Sequence, residues 1–147
     1  MNKRSILHYE IIDKPFNSET YKNFISSLMQ HLSAIGLKNQ VLIMDNASIH
    51  KNKEMLKLVT EINGHEMYFL PPYSPQLNPI EEVFSKWKCL IKSKNCRTNL
   101  ELRNEIGKGS IEISASDCTS YFNHMKQFVM KIFKINVSMF LYFVSLS

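Results

Sequence analysis

The four residues at positions 41–44, Val-Leu-Ile-Met, constrain the fold more than any other part of the sequence. The run contains no polar residue and is followed by Asp45 and Asn46, which is typical of a short parallel strand buried on both faces. Helices must then cover the sheet. The run therefore predicts an α/β fold with a short, mainly parallel sheet flanked by helices.

Helical patterns lie on both sides of this run. Asn17 or Ser18 is a suitable N-cap. The apolar residues that follow keep helical spacing until Gly36 ends the segment: Tyr21, Phe24, Ile25, Leu28, Leu32 and Ile35. The same kind of spacing predicts helices over residues 51–62 and 80–94.

Two more segments are predicted to be strands. Residues 6–12 are rich in β-forming side chains, and residues 66–70 follow the turn residues Asn63 and Gly64. The resulting alternation of strands and helices favours parallel pairing within one sheet.

The C-terminal part of the chain is predicted to be helical. Thr98 and Glu101 have capping-box spacing, although Gly107 and Gly109 predict that this helix is cut short. A longer helix is expected from about residue 114 onwards.

Composition narrows the class of protein. The chain has 147 residues, of which 44% are apolar and 21% charged, as is ordinary for one globular domain. Its longest apolar run, over residues 135–146, is too short to span a bilayer. The N-terminal sequence lacks a secretory signal, and the three cysteines match no zinc pattern. We therefore expect an intracellular protein that does not enter a membrane.

The positive charge lies in one segment. Residues 86–108 contain seven basic and two acidic residues, which accounts for the whole net charge of +5. Such a segment fits contact with a polyanion such as a nucleic acid. A solvated helix face is an equally good interpretation of the charge alone.

Two acidic residues lie at the ends of predicted elements, where the active sites of α/β proteins are found. Asp45 ends the apolar strand, and Glu81 begins the helix after a loop that holds four of the five prolines. Taken singly, each has a structural alternative. Asp45 can cap the next turn, and Glu81 is favoured by the helix dipole. Glu82 is a rival to Glu81.

Two sequence stretches carry these acids. Residues 41–50 read Val-Leu-Ile-Met-Asp-Asn-Ala-Ser-Ile-His, and residues 70–81 read Leu-Pro-Pro-Tyr-Ser-Pro-Gln-Leu-Asn-Pro-Ile-Glu. Thirty-five residues separate Asp45 from Glu81. The residues of these two stretches and the distance between the two acids closely resemble those of the mariner-like transposases of the DDE endonuclease superfamily. The resemblance extends more loosely over residues 6–133 and implies a partial RNase H-like fold.

The resemblance implies that Asp45 and Glu81 are two of three catalytic carboxylates that bind Mg²⁺ or Mn²⁺. It also implies DNA as the partner, both transposon ends and target. Two divalent ions can activate the attacking oxygen and stabilise the leaving oxygen when a phosphodiester is cut and rejoined. Glu81 is preferred to Glu82 because the family string ends there. A homo-oligomer is compatible with the family, and a nuclear location is expected in a eukaryote.

Further residues are candidates for DNA contact. Lys86, Lys88 and Lys92 lie in the basic part of the helix that begins at the candidate glutamate, and the latter two share its flank. For His50 we consider contact with DNA, contact with a ligating carboxylate, or no functional role at a helix start. Tyr73 is expected to pack under the prolines in preference to touching DNA.

The resemblance also predicts what the chain lacks. The family's first catalytic Asp lies well upstream, and Asp13 follows what resembles the third strand, so it is not counted as that ligand. Residues 1–134 are expected to form an N-terminally truncated catalytic domain, followed by an apolar tail at 135–147 that is either read-through or a strand. The strands at 6–12 and 41–45 then either keep open edges, which costs stability or invites association, or pair directly in a three-stranded sheet.

The sequence supports two functional hypotheses. The first is a transposase catalytic domain whose ancestral activity is metal-dependent DNA cleavage and strand transfer, inactive or nearly so because one ligand is missing. The second is a non-catalytic DNA-binding or interaction module that uses residues 86–108. A gene fragment that makes no stable protein is a third alternative.

Overall fold

The computed structural model of the protein describes residues 1–13, 17–47, 50, 52–133 and 141–144. In chain order its elements are α1 (Ser18–Ala34), β1 (Val41–Met44), α2 (Lys53–Lys57), a π-helical turn (Leu58–Ile62), β2 (Glu66–Phe69), a 3₁₀ turn (Pro75–Leu77), α3 (Ile80–Lys92), α4 (Asn99–Glu112), α5 (Ala115–Phe133) and β3 (Leu141–Val144). The predicted α/β class is confirmed, and it is consistent with a partial RNase H-like fold. Among the described helices, none combines the length and the apolar character needed to cross a membrane.

The sheet has three parallel strands in the order β2-β1-β3. Val41 of β1 pairs with Glu66 on one side and with Leu141 on the other. The central position of β1 explains its uniformly apolar sequence. The C-terminal tail is therefore a strand over residues 141–144, and the predicted boundary after residue 134 lies outside the described residues.

The strand predicted over residues 6–12 is wrong. Within the described part of the chain this segment joins no strand, and the two edges of β1, with which it could have paired, are occupied by β2 and β3. Its side chains pack onto helices instead: His8 lies 5.1 Å from the Phe24 ring, and Tyr9 meets Trp87 edge-on at 5.1 Å between ring centroids. Strand-like composition here serves side-chain packing and not backbone pairing.

One face of the sheet is covered by α1, α2 and the π-helical turn. The N-cap of α1 is Asn17, whose side chain accepts hydrogen bonds from the backbone N–H groups of Glu19 and Thr20. The core on this face contains Leu42 and Met44 of β1 with residues of the covering helices: Tyr21, Ile25, Leu28, Met29, Leu32, Met55 and Val59. We call this set the first layer.

The second layer covers the opposite face. Its buried residues come from α3, α5 and scattered positions: Met1, Ile80, Val83, Trp87, Ile113, Cys118, Phe122 and Met125. Ile43 of β1 packs against it. Side chains alternate along a strand, so β1 contributes to both layers.

Helix α4 is longer than predicted, since Gly107 and Gly109 lie inside it. A Cβ atom on Gly109 would lie 2.7 Å from Cδ1 of Trp87, so glycine permits close approach of the indole at this position and does not end the helix. The Trp87 Nε1–H donates to the carbonyl oxygen of Ile106 at 3.0 Å. The predicted N-cap is confirmed, because the Thr98 hydroxyl accepts from the Glu101 N–H.

Candidate active site

A cleft of about 380 Å³ opens where β1 and β2 end. Its lining combines the residues after β1 with the proline-rich loop after β2: Asp45, Asn46, Leu70, Pro71, Pro72, Tyr73, Ser74, Pro75 and Asn78. The carboxyl ends of parallel strands are the usual place for a ligand in such sheets. Asp45 is the acidic side chain of this cleft.

The carboxylate of Asp45 is held on one oxygen. Oδ1 accepts a hydrogen bond from the Ala47 N–H at 3.1 Å and lies 2.7 Å from Nδ1 of His50. Within the described part of the chain, no group is hydrogen-bonded to Oδ2, and about a third (34%) of the side chain is exposed. One oxygen is thus fixed while the other keeps its capacity to bind a ligand.

His50 is fully buried and does not lie at the protein surface. Its ring centroid lies 4.8 Å from that of Tyr21, and Tyr21 donates its hydroxyl hydrogen to Sδ of Met44. Burial, together with the nearby charge of Asp45, raises the pKa of Tyr21 above its usual range. The predicted DNA contact of His50 is therefore wrong, because the ring is enclosed between α1 and the end of β1. Of the three roles considered, the geometry matches contact with the candidate carboxylate.

Glu81 lies in the first turn of α3 and is exposed. Its Oε1 accepts from the side-chain amide of Asn78 at 3.4 Å, and its backbone N–H donates to the Asn78 carbonyl at 3.1 Å. Asn78 is buried and lines the cleft beside Asp45. Asn78 therefore connects the cleft with Glu81, a role that was not predicted from the sequence. The position of Asn78 in the Leu-Asn-Pro-Ile-Glu string is the signal that could have suggested this role.

The rival acids have other partners. Glu82 lies 2.8 Å from Nδ1 of His124 on α5. Asp13 forms an ion pair with Arg103 of α4, so it is engaged at another helix. In the described ranges, no three His, Cys, Asp or Glu side chains form a cluster that could hold a metal ion. The donor chemistry of Asp45, a carboxylate in a cleft whose Oδ2 has no hydrogen bond from the described residues, suits a hard cation such as Mg²⁺.

Tyr73 is completely exposed, with a relative accessibility of 100%. Its backbone φ is +56°, a conformation that is uncommon for residues other than glycine. The prediction that Tyr73 packs under the prolines is wrong, because the loop turns its side chain away from the core at the rim of the cleft.

The basic segment is partly neutralised by ion pairs. Lys86 lies 2.6 Å from Asp117, Lys108 pairs with Glu105, and Arg103 pairs with the aspartate named above. Hydrogen bonds from Lys86 and from Ser114 lower the pKa of Asp117 to about 2. Lys86 is thus less available to a phosphate than predicted.

Lys88 and Lys92 are exposed and have no ion pair within the described residues. Lys88 Nζ lies 5.8 Å from the ring centroid of Phe84. At seven and eleven residues after Glu81, both lie on its flank of α3. This flank therefore carries the available positive charge of the helix.

The fold and the cleft define an α/β protein with an acidic site at the carboxyl edge of a parallel sheet. A family model described as DDE superfamily endonuclease matches residues 1–103, which include the whole lining of the cleft. The chain therefore belongs to the DDE superfamily endonucleases. No curated protein matches it. The family implies a nucleic acid as substrate, and its members typically use divalent metal ions.

Proposed function

We propose that this chain is part of the catalytic domain of a mariner-like transposase, whose reaction is metal-dependent DNA cleavage and strand transfer. The observation that carries the proposal is the position of Asp45 in a cleft at the end of β1, linked through Asn78 to Glu81. The family match and the two sequence strings around these acids support it.

In this proposal Asp45 and Glu81 are metal ligands. Asp45 and Glu81 would hold a divalent ion, which when bound would activate the attacking oxygen and stabilise charge at the phosphate. The protein supplies two carboxylates, one at the end of a buried strand and one at a helix start behind the proline-rich loop. A short loop that holds four prolines positions Glu81 with little loss of chain entropy on binding.

The DNA contacts follow from exposure and charge. Lys88 and Lys92 contact the phosphates of a strand that leaves the cleft along α3, because they are exposed on the flank of Glu81 and form no ion pair with any described residue. Tyr73 offers its exposed ring to a base at the rim, since aromatic stacking is independent of base identity.

The isolated chain is expected to have little or no activity. The resemblance implies three catalytic acids, of which Asp45 and Glu81 are two. Asp13 does not supply the third, because it forms an ion pair with Arg103. The test is incubation of the purified chain with supercoiled plasmid and Mn²⁺, with Asp45→Ala as control. Nicking at the level of the control supports the expected inactivity of the isolated chain. Robust nicking that Asp45→Ala abolishes contradicts the expected inactivity and identifies a complete nuclease.

A second candidate function is non-catalytic DNA binding, which is favoured by the exposure of Lys88 and Lys92 on one flank of α3. Binding should weaken steeply with salt, and each lost phosphate contact should lower the slope of log K against log salt by about 1. Lys88→Glu with Lys92→Glu should weaken binding to duplex DNA at least about tenfold, because it also adds repulsion. A matched charge reversal at the exposed Lys3 and Lys38 should have a much smaller effect. Equal losses in the two double variants would exclude a specific basic face on α3.

A further inference from the structure

We propose that His50 is a positioning residue that fixes the carboxylate of Asp45 through Nδ1. The inference rests on the proposed role of Asp45 as a metal ligand. It assigns to the buried imidazole the task of holding one carboxylate oxygen so that the other meets a cation in a set orientation.

The hydrogen-bond pattern defines which nitrogen carries the hydrogen. Nδ1 of His50 lies 2.7 Å from Oδ1 of Asp45 and 3.1 Å from the carbonyl oxygen of the same residue. Both atoms are acceptors, so Nδ1 must be the donor. The orientation of the ring is therefore coupled to Asp45 through its side chain and its backbone at once.

Two hydrogen bonds from backbone N–H groups also connect Asp45, Ala47 and His50. The His50 N–H donates to the Ala47 carbonyl at 3.0 Å, and the Ala47 N–H donates to Oδ1 of Asp45 at 3.1 Å. Oδ1 thus receives a hydrogen bond from the turn and lies in ion-pair contact with Nδ1, whose hydrogen bond goes to the carbonyl oxygen of Asp45. Rotation of the carboxylate would break the bond to Ala47 and the close contact with Nδ1.

The burial of His50 argues against a role in packing alone. The residue is 0% exposed, and Nε2 is buried without a hydrogen-bond partner in the described part of the chain. A buried polar atom without a partner costs free energy, which a leucine or phenylalanine against Tyr21 would avoid. The contacts of Nδ1 with Asp45 therefore explain why an imidazole occupies this buried position. Outer groups of this kind orient metal ligands, and their loss typically weakens metal binding by about 10–100-fold.

Substituting His50 by asparagine or by glutamine distinguishes the role of Nδ1 from that of Nε2. The amide of His50→Asn places a donor near the position of Nδ1, whereas that of His50→Gln places it near Nε2. Mn²⁺ binding to the purified chain is measured by water-proton relaxation, with Asp45→Asn defining the level without the site. We expect His50→Asn to stay within about threefold of the wild type and His50→Gln to bind at least about tenfold more weakly. Equal affinities in two folded variants would overturn the proposal.

Two measurements without metal complete the test. Hydrogen exchange of the Ala47 amide should stay slow in His50→Asn and be accelerated in His50→Gln, because this amide donates to the carboxylate oxygen that Nδ1 contacts. A long-range ¹⁵N–¹H spectrum of the wild type should show His50 protonated at Nδ1. An Nε2–H form with a bare Nδ1 overturns the proposal even if neither variant folds.

These readouts also separate this inference from the proposed function. If Mn²⁺ binding is the same in the wild type and in Asp45→Asn, the metal site is wrong. The tautomer and the Ala47 exchange then still decide whether His50 holds Asp45.

Discussion

Leu42 and Met44 of β1 face a layer made by α1 and α2, whereas Ile43 packs against one made by α3, α5 and N-terminal residues. The first layer comes from one continuous part of the chain, residues 21–59. The second combines residues as distant as Met1 and Met125. Local hydrophobic spacing can specify the first, but the second depends on contacts between remote segments.

The candidate site joins the two layers. Asp45 is fixed through His50, which rests on Tyr21 of the first layer. Glu81 begins the helix that supplies Ile80 and Val83 to the second layer. The relative position of the two carboxylates therefore depends on how firmly both layers hold the same sheet.

The largest effect should come from a cavity in the first layer. Leu32→Ala should lower the free energy of unfolding by about 3 kcal/mol, since Leu32 is buried in this core. Urea unfolding is followed by far-UV circular dichroism and by fluorescence of Trp87, the single tryptophan, which lies in the second layer. Both transitions should shift together because the layers share β1. An unchanged fluorescence transition would show that the layers unfold independently.

A smaller effect is expected from crowding in the second layer. Gly109→Ala should lower the free energy of unfolding by about 2 kcal/mol, because its Cβ would lie 2.7 Å from the indole of Trp87. Gly107→Ala is the matched control in the same helix. Its Cβ would lie 3.6 Å from the Tyr9 hydroxyl, so it should stabilise the helix by up to about 1 kcal/mol. Equal urea midpoints for the two variants would refute the close approach of Trp87.

The ion pair between α3 and α5 should make the second layer sensitive to acid. Hydrogen bonds from Lys86 and Ser114 lower the folded pKa of Asp117 from 3.8 to about 2. This stabilisation is present above pH 3.8 and is lost as the pH falls towards 2. The free energy of unfolding of the wild type should fall by about 1 kcal/mol more than that of Asp117→Asn over this range, since solvent screens the pair.

The control for this prediction is Lys86→Met, which removes the first cause of the shift. The pKa of Asp117, followed by NMR, should then rise towards 3.8. A pKa that stays near 2 without Lys86 would assign the shift to Ser114 alone.

The smallest change in stability is expected at the cleft where β1 and β2 end. Tyr73→Gly should stabilise the fold by about 0.5 kcal/mol at most, because glycine accepts a φ of +56° and the exposed ring contributes no burial. The same change should weaken DNA binding about tenfold if the ring stacks on a base. Tyr73→Phe should retain binding, and a glycine variant that binds as well as the wild type would remove Tyr73 from the DNA contact.

The elements of the first layer were predictable because their signals are local. Asn17, the spacing from Tyr21 to Leu32 and the apolar run of β1 specify α1 and β1 within a few turns of chain. The strand predicted over residues 6–12 failed because pairing depends on which segment reaches the open edge of β1. Gly109 was misread for a similar reason, since its neighbour Trp87 lies in another helix.

The same distinction applies to the candidate site. The position of Asp45 at a strand end could be read from sequence. The contact of His50 with Asp45 was one alternative of three until burial of the ring was known. The exposure of Tyr73 could not be predicted, because an aromatic residue among prolines gives no local sign of the backbone angle that turns it outward.

The pairing of β3 with β1 bears on the order in which the molecule assembles. Leu141 lies one hundred residues after its partner Val41, so β1 can form its ladder with β2 long before its other edge is occupied. Synthesis at about 5–20 residues per second leaves that edge bare for several seconds after β1 has been made. During this interval the growing polypeptide carries an apolar strand with one free side, and chaperones or neighbouring nascent chains can compete for it until its last partner arrives.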